Sequence, residues 1–181
     1  MTFYRYPNTN HPGWARVWEL YQNSFPACEL RLAEDQQRAM ESRPDFFCTG
    51  IFEDDCFLGL IFYWDHGDFC YVEHFAIDPA HRGKQYGSRC LEAFCQQFPQ
   101  VILEIDPPED DISIRRRNFY ERMGFLVSSY EHQHPPYRIG DEPHRLLALS
   151  YPNPITPEQQ REFLTYREQE ILPFSEPRRS S

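Results

Sequence analysis

Residues 71–98 join a β-branched, aromatic segment to an amphipathic segment through a short basic turn. The first part runs to Ile77 and predicts a strand, which Asp78 and Pro79 end because proline cannot donate to a strand ladder. After the turn, apolar residues recur at helical spacing and predict a helix with one buried face. These apolar residues are Cys90, Leu91, Phe94, Cys95 and Phe98.

The turn between the predicted strand and helix, residues 82–88, has the composition of a phosphate-binding site. Gly83 and Gly87 permit unusual backbone angles and a close approach of ligand to backbone. The N–H groups of a first helical turn point outward with partial positive charge, and Arg82 and Lys84 add full charges. The pattern is not a nucleotide P-loop, whose second glycine is followed by Lys and Ser/Thr. It is not G-x-G-x-x-G either, because Gln85 stands where a middle glycine would be.

Length, composition and charge exclude several classes of protein. The 181 residues are enough for one domain with a substantial core, and 40% hydrophobic residues indicate a globular chain. The net charge of 18 − 28 = −10 argues against nucleic acid as a partner. No apolar run approaches the roughly 20 residues that span a bilayer, and the N-terminus is too polar for a signal peptide. We therefore expect a cytoplasmic protein without a membrane partner.

The cysteines and histidines do not form a recognisable metal site. Six cysteines show no Cys-x-x-Cys pair, and most lie inside apolar runs. Without a secretory signal we expect reduced thiols, and without paired Cys or His-x-x-x-His spacing we expect no metal. His132, His134 and His144 fall in a polar stretch, which we interpret as a loop that borders a substrate pocket.

The rest of the chain predicts the order β-α-α-β-β-β-α-β-α-β-β followed by a final helix. The remaining strands are predicted at about 3–6, 46–52, 56–63, 101–105, 125–130 and 145–149, and the remaining helices at 14–25, 32–42, 112–123 and 157–171. Residues 173–181 are predicted to be frayed.

Two motifs and this order resemble the GNAT superfamily of N-acetyltransferases. Arg82 and Gly87 match the ends of its acetyl-CoA motif, Gln/Arg-x-x-Gly-x-Gly/Ala, and residues 118–125 resemble its Tyr-Glu-Lys-x-Gly-Phe segment, with Arg122 for lysine. The resemblance implies an α/β (α+β) fold in residues 1–150. Its mixed, mostly antiparallel sheet would have six to seven strands, with splayed central strands and flanking helices. Residues 151–181 would be an additional C-terminal helical extension.

The resemblance also implies acetyl-CoA as cosubstrate and assigns roles to residues. Tyr120 takes the position of the general acid that protonates the departing thiolate, and Ser113 takes the place of an asparagine near the pantetheine. Backbone groups of the strand before the turn would bind the pantetheine, and the turn would bind the diphosphate. These cofactor-binding residues are Phe75, Ala76, Ile77, Arg82, Gly83, Lys84, Gln85, Tyr86, Gly87 and Ser88.

Two carboxylates are candidates for the base that deprotonates the acceptor. Glu104 matches a Leu-Glu-Val strand that supplies the base in some members of the family, and Glu73 lies on the strand before the turn. Between apolar neighbours, we expect a desolvated glutamate to have a raised pKa. Because His74 and Glu73 alternate along a strand, only one of them can line a cleft unless a bulge intervenes.

The function implied is acetyl transfer from acetyl-CoA to a primary amine in a ternary complex, with a small-molecule amine as the first expectation. A protein N-terminus or lysine is the alternative acceptor. A non-catalytic acyl-CoA sensor is the alternative function, since Gln85 and Ser113 both depart from the family pattern. Monomer and homodimer both remain open.

Overall fold

The computed structural model describes residues 1–178, apart from the side chains of residues 130 and 131. In this part of the chain, seven strands and five α-helices follow the predicted order, so the predicted fold class is confirmed. No helix among these residues is long and apolar enough to cross a membrane. The strands are β1 Thr2–Arg5, β2 Phe46–Glu53, β3 Cys56–Asp65, β4 Cys70–Ile77, β5 Val101–Ile105, β6 Leu126–His134 and β7 His144–Tyr151. The helices are α1 Trp14–Ser24, α2 Ala33–Ser42, α3 Tyr86–Cys95, α4 Asp111–Arg122 and α5 Pro157–Tyr166.

The chain divides into two compact units. The first consists of residues 1–27 and 39–101, and the second of residues 28–38 and 102–181. The first unit therefore contains β1 to β4 with α1 and α3, and the second contains β6, β7, α4, α5 and all of β5 except its first residue. A boundary near residue 150 stays a prediction.

The first unit is a four-stranded antiparallel sheet with helices packed on it. Its strands lie in the order β1-β2-β3-β4. Much of β2 and β3 is buried, which explains why these strands read as continuous apolar runs in the sequence. Trp14 and Tyr21 of α1 pack against the ring of Phe62 on β3. Phe94 of α3 packs edge-on against Tyr63 of the same strand.

The second unit places β5, β7 and β6 side by side in that order, with β6 and β7 antiparallel. Its last helix, α5, begins at a capping box in which Thr156 and Gln159 exchange side-chain and backbone hydrogen bonds. Pro157 then occupies the first helical position, where its missing N–H is not needed. The helix continues as a π-helical turn over Arg167–Ile171.

Two predictions about the second unit are wrong. The expected loop around His132 and His134 is part of β6, because the strand continues to His134 and pairs it with His144. The tail is not frayed at its start, since Leu172 and Ser175 are buried. Two arginines, which the sequence pattern did not single out, hold it: Arg31, which is buried, and Arg38, which is partly exposed. Residues 179–181 lie outside the described residues.

Two arginines bind the backbone of the tail. The guanidinium of Arg31 donates to the carbonyl of Phe174 at 3.1 Å, and that of Arg38 donates to the carbonyl of Pro173 at 2.5 Å. The ring of Tyr137 also lies beneath the Arg31 guanidinium, 4.5 Å from its centroid. The C-terminal extension is therefore attached to residues 28–38 by charge-assisted hydrogen bonds.

Candidate functional site

The predicted phosphate-binding turn connects β4 to α3, and its residues 82–85 are exposed. Asp78 caps a short 3-10 turn by accepting from the N–H of Ala80 at 3.0 Å, and α3 then begins at Tyr86. Between them the backbone takes positive φ at Gly83 (+75°) and at Gln85 (+62°). A left-handed backbone at position 85 explains why a glycine would be preferred there and shows that glutamine can adopt it.

The cationic side chains of the turn bind backbone carbonyls of the residues just before it. Arg82 Nε donates to the carbonyl of Ile77 at 3.0 Å, and Lys84 Nζ donates to that of Ala80 at 3.0 Å. Within the described residues, the N–H groups of residues 86–88 donate to no backbone carbonyl outside α3, as expected of a first helical turn. The turn thus combines a helix N-terminus with two positive charges, which suits a diphosphate.

The end of β4 is held closely against β3. Phe75, Ala76 and Ile77 pair in register with Ile61, Leu60 and Gly59. A side chain at position 59 would collide with the carbonyl of Ala76, so only glycine permits this approach. The backbone that is predicted to bind pantetheine is therefore fixed from the β3 side.

A bulge in β4 changes how Glu73 and His74 are presented. The register shifts between Phe62 and Tyr63, whose partners are His74 and Val72, so Glu73 is the extra residue. Both side chains are consequently buried, and Glu73 Oε2 lies 3.9 Å from His74 Nδ1. The indole of Trp64 donates to the same Glu73 oxygen at 3.0 Å.

On α4, Ser113 and Tyr120 are both buried but differ in what they contact. The Ser113 hydroxyl belongs to the helix cap, since it accepts from the N–H of Asp110 at 3.0 Å while Asp110 Oδ1 accepts from the N–H of Ser113 at 2.7 Å. This capping box explains a serine at the position without any ligand. Tyr120 packs edge-on against Phe119 and Phe125.

Glu104 lies at the centre of a buried cluster in the second unit. Its side chain is only 3% exposed, and its Oε1 accepts hydrogen bonds from His132 Nε2 and from Arg167 Nη1, the latter at 3.3 Å. Its other oxygen lies 3.9 Å from His134 Nε2. Arg167 also donates to the carbonyl of Gln133 at 3.2 Å. The strand β6 and the C-terminal extension thus both reach this carboxylate.

The expectation of a raised pKa at Glu104 is wrong. Burial alone would raise it, but the hydrogen bond from His132 and the charges of His134, His132 and Arg167 together lower the pKa of Glu104 to about 2. The sequence suggested apolar surroundings, because the strand neighbours are Leu103 and Ile105. The polar partners come from β6 and from the turn after α5, which periodicity along β5 cannot reveal.

Glu29, which no sequence pattern singled out, is a carboxyl with a raised pKa. Burial and the nearby charge of Asp106 raise the pKa of Glu29 to about 7, against the lowering effect of Arg116. Arg116 itself pairs with Asp106 at 2.8 Å. Glu29 stands in a three-residue helical turn without a motif, so only the fold, which brings it to Asp106, could identify it.

A cavity of about 430 Å³ opens beside the Glu104 cluster. This volume is within the range of small-molecule sites. Two of its wall residues, His132 and Arg167, are also the partners of Glu104. The lining consists of His132, Leu164, Thr165, Arg167, Glu168 and Gln169.

Comparisons with known proteins point to one family. The model of the acetyltransferase (GNAT) family matches residues 14–125. A solved structure from Bacteroides thetaiotaomicron, assigned to the GNAT family of acetyltransferases, is 32% identical, with a TM-score of 0.86 over 95% of this chain and 98% of its own. No curated protein sequence matches the chain.

Two more distant structures share the fold alone. The ribosomal-protein-S18-alanine N-acetyltransferase of Escherichia coli is 15% identical, with a TM-score of 0.59 over 87% of this chain and 96% of its own. An aminoglycoside 6'-N-acetyltransferase complexed with coenzyme A is 12% identical, with a TM-score of 0.54 over 86% of this chain and 99% of its own.

Proposed function

The chain belongs to the acetyltransferase (GNAT) family, and we propose that it transfers an acetyl group from acetyl-CoA directly to a primary amine in a ternary complex. The observation that carries the proposal is the turn at residues 82–88, which presents helix N-terminal donors beside Arg82 and Lys84. The reaction needs no metal, and we propose that it takes place in the cytoplasm.

In this proposal the first unit binds the cosubstrate. The diphosphate lies against residues 82–88, where backbone N–H groups and the helix dipole favour negative charge. The backbone of residues 75–77 binds the pantetheine arm, and a backbone N–H there polarises the thioester carbonyl. The fixed pairing of this segment with β3 supports the role, because a preorganised donor loses no energy to reorganisation during the reaction. The proposal also places Ser113 near the pantetheine, in addition to the part that its hydroxyl takes in the cap of α4.

Tyr120 is the proposed general acid. When the carbon–sulfur bond breaks, its hydroxyl donates a proton to the departing CoA thiolate. The position in the Tyr-Glu-Arg-x-Gly-Phe segment supports this role, as does a side chain that is buried yet carries a polar end. If Tyr120 were only a structural residue, its replacement by phenylalanine would leave the turnover rate unchanged.

Proton removal from the acceptor involves one of the two predicted glutamates. A carboxyl with a pKa of about 2 is a weak base at neutral pH. We therefore propose that Glu104 acts through the imidazole of His132, which is hydrogen-bonded to it. Glu73 is the second candidate, because its carboxylate is buried at the bulge of β4. Replacing each by glutamine separates the two.

The proposed acceptor is a small-molecule amine, with a protein N-terminus or a lysine as the alternative. The distant structural neighbours include enzymes that are named for a ribosomal-protein alanine and for an aminoglycoside, so both kinds are used within this fold. Either acceptor offers the same reacting group, an amine that must lose a proton before it attacks.

The test is a thiol-release assay with acetyl-CoA and four acceptor probes: spermidine, kanamycin, an alanine-initiated peptide and an internal-lysine peptide. We expect release of CoA with at least one probe, and a loss of roughly 100-fold or more in kcat for Tyr120→Phe. Binding of acetyl-CoA without any release would instead favour the non-catalytic sensor. Unchanged turnover in Tyr120→Phe would reject the acid role.

A further inference from the structure

The two ring nitrogens of His132 have different surroundings. The imidazole is buried, with its side chain 9% exposed, and Nε2 is bonded to Glu104 Oε1. Because Glu104 is ionised at neutral pH and can only accept, Nε2 must carry the proton of this bond. Nδ1 is itself buried and has no hydrogen-bond partner among the described residues. A neutral His132 therefore carries its lone pair on Nδ1.

The neighbouring groups fix this arrangement. Arg167 donates to the same Glu104 oxygen and to the Gln133 carbonyl, so the carboxylate that orients the imidazole is itself held from a second side. His134 is differently placed, since its Nδ1 lies 2.7 Å from the carbonyl of Pro135 and its Nε2 lies 3.9 Å from Glu104. Of these two histidines, only His132 keeps a ring nitrogen without a partner.

The ring of His132 also borders the 430 Å³ cavity. The charged groups around it are Glu104 and Arg167, which are paired with each other, His134, and the exposed carboxylate of Glu168 at the cavity wall. Glu168 pairs with Arg178. The carboxylate of Glu104 compensates the charge of Arg167, so the cavity wall does not oppose the entry of a cationic amine.

We infer that Nδ1 of His132 takes the proton from an acceptor amine bound in this cavity, and that Glu104 is the positioning residue behind it. The inference rests on the proposed function and deepens it, because it names the proton acceptor and the side chains around the incoming amine. Carboxylate, imidazole and reacting group then have the relation found in catalytic triads, where the carboxylate sets the tautomer and stabilises the imidazolium.

The proton balance of the step is complete. Nδ1 takes one proton from the acceptor ammonium, which leaves a neutral amine with a lone pair, and the imidazolium later returns this proton to solvent. The amine nitrogen bonds to the acetyl carbon, the carbon–sulfur bond breaks, and sulfur gains a proton from Tyr120. The nitrogen then loses its second proton, which restores Tyr120 by way of water. The products are an amide, free CoA and one proton in solution.

The first test is the tautomer of His132, measured by long-range ¹H–¹⁵N NMR on the full chain labelled at histidine, at pH 8. His132→Gln identifies its signals by their disappearance. We expect the Nε2–H tautomer, with an unprotonated Nδ1. An Nδ1–H tautomer would overturn the inference, because that nitrogen could not accept a proton. This measurement needs no substrate and so decides the point even if no probe amine is used by the enzyme.

The second test compares His132→Gln with His134→Gln in the thiol-release assay across pH. We expect His132→Gln to lose about 100-fold or more in kcat/KM and to lose the fall in kcat/KM on the acid side of the wild-type profile. We expect His134→Gln to keep that acid-side fall. The same profile in both variants, or a wild-type profile in His132→Gln, would contradict the role.

A calorimetric titration with CoA separates the two proposals. His132→Gln should bind CoA as the wild type does, since His132 is not among the residues assigned to the cosubstrate. A wild-type protein that binds no CoA would instead refute the proposed function itself.

Discussion

The carboxylate of Glu104 and the guanidinium of Arg167 lie 3.3 Å apart in the folded chain although 63 positions separate them. Both side chains are buried, at 3% and 8% exposure. Glu104 belongs to β5, and Arg167 to the turn that follows α5, so the C-terminal extension supplies one wall of the cluster around the candidate base. An extension that the sequence predicts as a mere addition therefore takes part in the buried cluster around Glu104.

The first prediction concerns acid stability. Glu104 has a pKa of about 2 in the folded chain, below the ordinary value of 4.5, because His132, His134 and Arg167 surround it. A lowered pKa contributes stability that is present above the unfolded value and is lost as pH falls through the folded one. We expect this group to account for about 3 kcal/mol of the free energy of unfolding, lost between about pH 5 and pH 2.

Urea denaturation of the wild type and Glu104→Gln between pH 2 and pH 7 measures this contribution. The variant should be less stable at pH 7, where Arg167 would remain buried without a negative partner. The difference should shrink toward pH 2, because the wild-type carboxyl is then protonated as well. A difference that stays constant with pH would contradict the assignment.

The second prediction concerns the anchor of the tail. Arg31 is 1% exposed and donates to the Phe174 carbonyl and, at 3.4 Å, to the Tyr137 hydroxyl. Arg31→Met should lower the free energy of unfolding by about 2 kcal/mol, because it removes the hydrogen bonds that a buried, charged donor makes to the tail and to Tyr137. Arg115→Met is the control, since Arg115 is exposed and, among the residues that the structure describes, bonds only to the Asp111 carbonyl of its own helix. Equal midpoints in urea for the two variants would count against the anchor.

The third prediction concerns the backbone at Gln85. Its φ of +62° is strained for a residue with a side chain, so Gln85→Gly should raise the free energy of unfolding by up to about 1 kcal/mol. At Gln96, where φ is −65°, the same replacement should lower it by about 0.5–1 kcal/mol. Thermal unfolding of both variants checks the contrast. Destabilisation by Gln85→Gly would show that the turn is not left-handed there.

The fourth prediction concerns Glu29. Burial and Asp106 raise the pKa of Glu29 to about 7, so the folded chain binds more protons than the unfolded chain between about pH 4.5 and pH 7. Ionising Glu29 therefore destabilises the folded state as pH rises through this window. Glu29→Gln should increase the melting temperature relative to the wild type at pH 8 and leave it unchanged at pH 4. An equal shift at both pH values would mean that the carboxyl titrates normally.

Local patterns predicted much of the fold. The bounds of β5 at Val101 and Ile105 follow from one short apolar run between polar segments, and those of α1 follow from helical spacing up to Pro26. The predicted order of strands and helices was correct because proline, glycine and acidic turn residues separate them. Strand β6 was predicted too short because residues 131–134 are four consecutive polar residues, a pattern that indicates a loop.

The site was less predictable because its properties come from contacts distant in sequence. The glycine-containing turn and the Tyr120 segment are local and could be recognised from the motifs. The pKa of Glu104 depends on His132 and Arg167, and that of Glu29 depends on Asp106, and none of these pairs is close in the chain. Position along a strand indicates burial, but it does not indicate which charges accompany a buried carboxyl.

The central claim is that the turn at residues 82–88 binds the diphosphate of acetyl-CoA. Isothermal calorimetry with acetyl-CoA tests it most directly, using the wild type, Ser88→Asp and Gln97→Asp. The added carboxylate at Ser88 stands in the first turn of α3, where it would oppose the diphosphate, whereas Gln97 follows the end of that helix and receives the same charge. We predict binding by the wild type and by Gln97→Asp, with affinity reduced about tenfold or more in Ser88→Asp. No binding by the wild type at millimolar acetyl-CoA, or equal affinities for all three proteins, would contradict the claim.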